Sequence, residues 1–387
     1  MAACRSGWFG LIGLTVLGVA AAQAADLIVS AQDGKFVRVE GKATYPQPAP
    51  PDSLVVIDAA QSPPAIVATL EGIEHTVQGP PQAVAITPDG KLAIVAAPTR
   101  YDYDAKKELL DNFLQVVDLE SSPPKLLAKV DVGAHANGLT VNRDGTLLLA
   151  AAHDGTVKVL AISGKELKLL DQVKVGEKRL SGIAFTPDGK AALVALRDEN
   201  GAAVLGVDGT TVTLTKERLS TGVNPYAVDV SSDGRWAIVG NTGVGGRIVD
   251  DADVVTLVDV SKRPFRTVQQ ISVPATPEGV AISPDGKWIA VSSMAGSNLT
   301  ANDPGRKKLG SVGLYAIKSG QATKVNELPG GEAAQGVVFS KDSKTVLVQF
   351  DVERAIAVYA IRGGKLVDTG KRITLAAGPV SIRSMPR

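Results

Sequence analysis

The 387-residue sequence predicts an all-β chain, a seven-bladed β-propeller of four-stranded blades, and three observations carry that prediction. The first is a recurring hairpin: two short apolar runs joined by a Pro-Asp-Gly-type turn, clearest in PEGVAISPDGKWIAVSS from Pro277 to Ser293. Further copies begin at Pro81, Ala136, Leu180, Pro225 and Ala334. The second is their spacing. Aligned on the turn, the copies place Gly90, Gly145, Gly189, Gly234, Gly286 and Ser343 at one site, so the intervals by subtraction are 55, 44, 45, 52 and 57 residues. A period of that size with four strand-like runs per unit is what a propeller blade requires. The third is that the two ends of the chain carry complementary fragments of one more blade.

Taken in order, residues 1–24 hold one positive charge at Arg5, an apolar run from Trp8 to Ala22 and the small-residue stretch Ala22-Gln23-Ala24. That pattern reads as a secretory signal cleaved before Ala25, with an apolar run too short for a good membrane span. Cys4 precedes the run, so it does not read as a lipid-anchoring cysteine, and the mature chain has no disulfide or thiol chemistry. Residues 25–387 then form a single propeller domain. LIVSAQ from Leu27, SLVVID from Ser53 and AIVATL from Ala65 read as the second, third and fourth strands (b, c and d) of a blade without a first. At the other end GPVSIRSM from Gly378 reads as a first strand, a, with nothing after it. Joining them closes the ring and leaves no open edge.

Between the ends, each hairpin supplies strands a and b. Third runs follow, ending at Asp118, Asp259 or Ala316, and then short fourth runs such as KLLAKV. Proline presets the lower turn, as at Pro88, Pro187 and Pro284, and glycine takes its positive-φ position. Trp236 and Trp288 stand just after that turn, where other blades have leucine, and read as core.

Losing Arg5 leaves 41 − 1 = 40 basic residues against 40 acidic ones. Such a balance offers no electrostatic footprint for nucleic acid or anionic lipid. Arg306-Lys307-Lys308 clusters basic charge in a loop and reads as solvated surface. The expectation is a periplasmic or secreted monomer with no membrane span once the signal is removed.

Strand order puts the b–c and d–a loops on one face, called upper here. Four b–c loops are expanded, at residues 33–52, 99–111, 241–253 and 294–310, and long loops on a rigid scaffold are where binding usually resides. His75, His135 and His153 map to this face, as do Tyr45, Tyr101, Tyr103 and Tyr226. The residues opening each strand a form the lip of the central tunnel: Gln82, Asn137, Ser181, Tyr226, Glu278, Gln335 and Val380. A ring of amides with one carboxylate suits a small polar ligand, an ordered water cluster or a hard cation such as calcium, or else simply solvates a wet channel. One carboxylate is thin for calcium, so no metal or other cofactor is expected. Asp250, Asp251 and Asp253 read as turn caps, and GVGGR, which begins at Gly243, precedes no helix and is not a phosphate loop.

The repeat with S/T-P-D-G-K and strands ending V-x-V-I-D resembles the YVTN family of seven-bladed propellers, including YncE-like and lactonase-like exported members. The resemblance spans nearly all of residues 25–387 and implies the fold; its residues belong to the scaffold, and lactonase activity follows from it only by analogy. The Pro-His and Asp-Leu-Gly-x-Asp features of phosphogluconolactonase-like propellers are absent, so no catalytic residue carries over by motif. Two functions are therefore expected as alternatives. One is an exported binding or accessory propeller, holding a small polar molecule or another exported protein at the upper mouth through Gln82, Asn137, Ser181, Tyr226, Glu278, Gln335 and Tyr101. The other is a metal-independent lactonase with a base from His135, His153 or Glu278 and Arg197, just after strand b of its blade, stabilising the oxyanion.

Overall fold

The computed structural model describes residues 1–2, 25–77, 79–245 and 248–387. Residues 3–24, which hold the apolar run and cleavage site of the expected signal, lie outside the described residues, as do Gly246 and Arg247 of the GVGGR stretch. The described strands form seven four-stranded antiparallel blades. Each innermost strand lies against the next all the way round a central tunnel.

Closure occurs as the sequence predicts. Blade 1 runs outward as Gly378–Ser384, Leu27–Asp33, Ser53–Asp58 and Ala65–Glu71. Its first pair is in register from Ile28 opposite Ser384 to Asp33 opposite Gly378. The other blades begin at Val84–Ile86, Ala136–Val141, Ile183–Phe185, Pro225–Val230, Pro277–Ile282 and Ala334–Phe339.

Burial explains the composition of each strand. Inner strands are covered on both faces by neighbouring blades, so they read as continuous apolar runs; LLLAAA of Leu147–Ala152 is buried throughout. The outermost strands face solvent, and Lys125–Asp131 is almost wholly exposed. Among the described residues the core divides into seven clusters, one at each blade–blade junction. The junction of blades 7 and 1 packs Ile28, Val55 and Ile57 against Val338, Leu347 and Val358, with Ile382 from the closing strand.

The repeated turn is a hydrogen-bonded device. Thr87 Oγ1 donates to Asp89 Oδ1 at 2.6 Å, Lys91 N donates to the same oxygen, and Leu92 N donates back to Thr87 Oγ1. Thr186/Asp188, Ser231/Asp233, Ser283/Asp285 and Ser340/Asp342 repeat it. Gly90 follows at φ 72°, a conformation costly for a residue with a Cβ, although Ser343 adopts it at φ 62° in blade 7.

Two expanded upper loops contain hairpins, Val37–Val39 with Lys42–Thr44 and Thr99–Asp102 with Lys107–Leu110. They are fused: Tyr45 stacks on Tyr101 with ring centroids 3.6 Å apart, and Tyr103 donates to the Pro46 carbonyl at 2.6 Å. From the first hairpin Arg38 reaches the loop of blade 6, donating to the Asn298 carbonyl at 3.0 Å. The blade 1 loop thus crosses from blade 2 to blade 6 as a cap over part of the upper face. Arg306 corrects the reading of its cluster as solvated surface. Its side chain is largely buried and donates to Glu332 at 2.7 Å and to the Ser297 carbonyl, which ties the blade 6 loop to blade 7.

Candidate functional site at the upper mouth

Two rings of side chains converge on the upper end of the tunnel. The inner ring opens the a strands, and the outer ring follows the b strands, eight residues beyond the turn position: 145 + 8 gives His153, 189 + 8 gives Arg197 and 343 + 8 gives Asp351. Asp33 ends strand b of blade 1 at the corresponding place.

A β-bulge aims the inner ring. Pairing shifts between Pro277 and Gly279 in blade 6, and blades 3, 5 and 7 shift at the same place. Strict alternation would turn Glu278 and Ala281, three residues apart, to opposite faces, whereas the extra residue lets both face the axis.

Glu278 is buried, and its Oε2 makes no hydrogen bond within the protein. Burial raises its pKa from 4.5 to about 7, with Arg197 and Arg38 opposing the rise. Arg197 comes from blade 4, and its guanidinium carbon lies 4.0 Å from the centroid of the Tyr226 ring. Its Nε and Nη1 are buried without a hydrogen-bond partner. Stacking holds the guanidinium plane on Tyr226 while leaving donor edges free. The guanidinium therefore points into the mouth. The Tyr226 hydroxyl is itself held protonated by burial and by the charge of Glu278.

The remaining expected residues divide. Gln82 does not face an open mouth: its Nε2 donates to the Val228 carbonyl at 2.8 Å and its Oε1 accepts from Val228 N at 2.9 Å, a clamp across the tunnel from blade 2 to blade 5. Ser181 Oγ is engaged with the Pro225 and Tyr226 carbonyls. Gln335 Oε1 is buried and unpartnered, and a Cβ built on Gly79 would lie 3.3 Å from it and 3.1 Å from the Tyr226 hydroxyl. The segment at Gly79 therefore enters the mouth, and its glycine permits the close approach. Asn137 is buried, and Tyr101 belongs to the cap.

His135 and His153 meet edge-on with ring centroids 4.6 Å apart. His135 Nδ1 bonds the Asp111 carbonyl at 2.9 Å, and burial lowers its pKa. His153 Nε2 is buried without a partner; burial, then His135 and Arg179, bring its pKa down to about 3. Both rings are neutral near pH 7. His75, fully buried, bonds Ala96 and Ser381 and works as a structural link.

Three charged groups at the mouth were not anticipated: Asp351, Asp33 and Arg38. Burial raises Asp351 to about 7, against the opposing charge of Arg38. Burial likewise raises Asp33 to about 7, with Lys35 opposing. Two of the three were readable, because Asp351 shares the repeat position of His153 and Arg197, and Asp33 its topological equivalent. Among the described residues no group of three or more His, Cys, Asp or Glu side chains is placed to hold a metal ion.

Comparisons with known proteins agree on architecture. The family model "WD domain, G-beta repeat" matches residues 129–159. The curated proteins give no match. Among solved structures, the chain is similar to the periplasmic gluconolactonase PpgL of Pseudomonas aeruginosa, with TM-score 0.62 and 16% identity over 92% of this chain and 99% of that one. It is also similar to a functionally unknown protein of Desulfotomaculum acetoxidans, with TM-score 0.66 and 14% identity over 93% and 99% of the two chains. Hydrazine synthase of Kuenenia stuttgartiensis aligns with TM-score 0.60 and 20% identity over 80% and 90%. At these identities the likeness is one of fold.

Proposed function

We propose that the protein is an exported propeller that binds a small polar, carbonyl-bearing molecule at its upper mouth. The observation that carries this reading is the set of buried polar atoms without partners: Glu278 Oε2, Arg197 Nε and Nη1, His153 Nε2 and Gln335 Oε1. Leaving such groups unpaired costs about 1–3 kcal/mol each, more for charged ones, and a ligand offering both donors and acceptors recovers that cost. Arg197 suits a carbonyl or carboxylate oxygen, and Glu278 and Gln335 suit hydroxyl donors. A thermal-shift screen of sugar acids and their lactones tests this. A ligand that raises the melting temperature of the wild type is expected to lose that effect in Arg197→Ala and in His135→Ala, with the fold of each variant checked by circular dichroism. Undiminished stabilisation in both variants would place the site elsewhere.

A second reading, lactone hydrolysis, is favoured by the pairing of a carboxylate near pKa 7 with a free guanidinium, and by the gluconolactonase among the similar structures. In that scheme Glu278 takes a proton from water, whose oxygen attacks the lactone carbonyl, and Arg197 stabilises the oxyanion. Collapse breaks the ring acyl C–O bond, and Glu278 returns the proton to the leaving alkoxide, giving the hydroxy acid. Glu278 suits the base role better than the histidines, because burial lowers the pKa of both rings, that of His153 to about 3, and so weakens them as bases. Opening of an aldonolactone in the presence of chelator should then accelerate between about pH 6 and pH 8 as Glu278 ionises. A rate no higher than that of buffer alone removes this reading and leaves the binding one.

Export rests on residues 1–24. Intact mass of protein recovered from an exported fraction should correspond to a start at Ala25 without a lipid adduct; a cytoplasmic protein retaining Met1 would overturn it.

A further inference from the structure

The tunnel is not one continuous site. Below the Gln82–Val228 clamp a separate cavity of about 120 Å³ opens at the opposite, lower end, lined by residues from all seven blades. For scale, an engineered apolar cavity of roughly 150 Å³ holds a benzene molecule. The repeats explain why the space exists. At the fourth residue of the aligned innermost segments, counted from the lip residue as first, stand Ala85, Thr140, Ala184, Ala281 and Val338, small side chains that leave the axis open. Blades 5 and 1 depart from this pattern with Asp229 and Arg383. These two charges face each other, with Arg383 Nη1 3.6 Å from Asp229 Oδ1.

The pair is only partly satisfied by the protein. Asp229 accepts from two backbone groups, Ile282 N at 3.0 Å and Val230 N, and Arg383 Nη2 makes one long bond, 3.4 Å, to the Ile183 carbonyl. A close, bidentate Arg–carboxylate pair would have shorter contacts, so both groups keep bonding capacity toward the cavity. Arg143 and Arg387 complete the charged lining. Arg387 is neutralised by Asp26 at 3.1 Å, while Arg143 donates to the Ser232 carbonyl, at 3.2 Å, and to no carboxylate among the described residues. Setting the Arg387 guanidinium against Asp26, the lining keeps two guanidinium groups, Arg143 and Arg383, beside the Asp229 carboxyl, whose pKa burial raises.

We propose that this lower cavity is a second ligand site, which takes a small hydroxycarboxylate with its carboxylate on Arg383 and Arg143 and its hydroxyl on Asp229. The volume limits the occupant to about the size of a three- or four-carbon acid. The Gln82–Val228 clamp crosses the tunnel between this site and the upper mouth, and the two share no lining residue.

Calorimetric titration of the full chain with sodium lactate at fixed ionic strength tests this, with acetate, succinate and inorganic phosphate as comparison probes. Saturable binding of lactate is expected, weaker for acetate and succinate, and weakened roughly tenfold or more in Arg383→Gln, which loses charged hydrogen bonds. Because Arg383 lies in the closing strand, Arg143→Ala, at the lower rim, serves as the variant that folds; it should weaken lactate binding severalfold. Glu278→Gln should leave lactate affinity unchanged. The proposal is overturned if lactate does not saturate, if folded Arg383→Gln or Arg143→Ala binds it as the wild type does, if phosphate binds and lactate does not, or if Glu278→Gln abolishes the binding, which would move the ligand to the upper mouth.

Discussion

A chain ending at Ala377 is expected to melt far below the full-length protein or to aggregate on expression. Strand Gly378–Ser384 supplies the inner edge of blade 1, and without it Leu27–Asp33 presents a row of unpaired backbone groups toward the tunnel. Val380 and Ile382 are buried at 0% and 2% exposure, and removing each from the core costs about 1.5–3 kcal/mol. The lost ladder and the Gln349 Nε2 to Ser381 carbonyl bond at 2.9 Å add about 1 kcal/mol per hydrogen bond. The sum is comparable with the whole stability of an ordinary domain, about 5–15 kcal/mol. Calorimetry of the truncated chain decides the matter; a melting temperature equal to that of the full chain would contradict closure by this strand.

Glu278→Gln is expected to act in the opposite direction, stabilising the fold while abolishing ligand binding at the upper mouth. The folded-state pKa of Glu278 lies near 7 against 4.5 for the free side chain, so the native state holds its proton more tightly than the unfolded one. Its contribution to stability therefore falls as pH rises from about 4.5 to about 7 and is fully lost above that, a change of about 3 kcal/mol. A neutral amide of similar shape does not lose it. Variant and wild type should melt together near pH 4.5 and diverge by several degrees at pH 8, with the variant higher. The difference isolates Glu278, since Asp33 and Asp351 titrate in both proteins. A variant less stable than wild type at pH 8 would show that the carboxylate serves the fold, through Arg197 and Arg38, and does not wait for a ligand.

The scaffold was legible in the sequence because its signals are local and repeated. Ser/Thr-x-Asp-Gly states its own hydrogen bonds, and a missing strand at one end with a surplus strand at the other leaves one closed solution. The inner ring was legible for the same reason, since aligned repeats share a register. What a ring residue does with its side chain was not. Gln82 and Gln335 occupy the same repeat position, yet one clamps across the tunnel to Val228 and the other keeps a free oxygen. That outcome depends on groups far away in the chain. Arg38 was out of reach for a similar reason: it meets Asn298 across 260 residues, from a hairpin stacked on that of blade 2. Asp229 and Arg383 stand in plain alignment as the two charged residues among small ones, but the long loops, the stronger signal of binding, all point to the other face.

The closing strand also has a consequence in time. Val29 pairs with Arg383, 383 − 29 = 354 positions later, so a chain made from its N-terminus holds blade 1 incomplete until almost all of the polypeptide is available. Pairings of such separation are slow to form, because most of the chain must be ordered before they are rewarded. The same strand brings Ser381, whose hydroxyl joins His75 Nε2 at 2.7 Å and the Pro80 carbonyl, beside the Gly79 segment that enters the upper mouth. Docking of the last strand thus sets the position of a segment laid down some 300 residues earlier. In refolding experiments, competence to bind at the upper mouth should appear with the final kinetic phase and not with the bulk of strand formation, so that the ring matures into a receptor in a single late step.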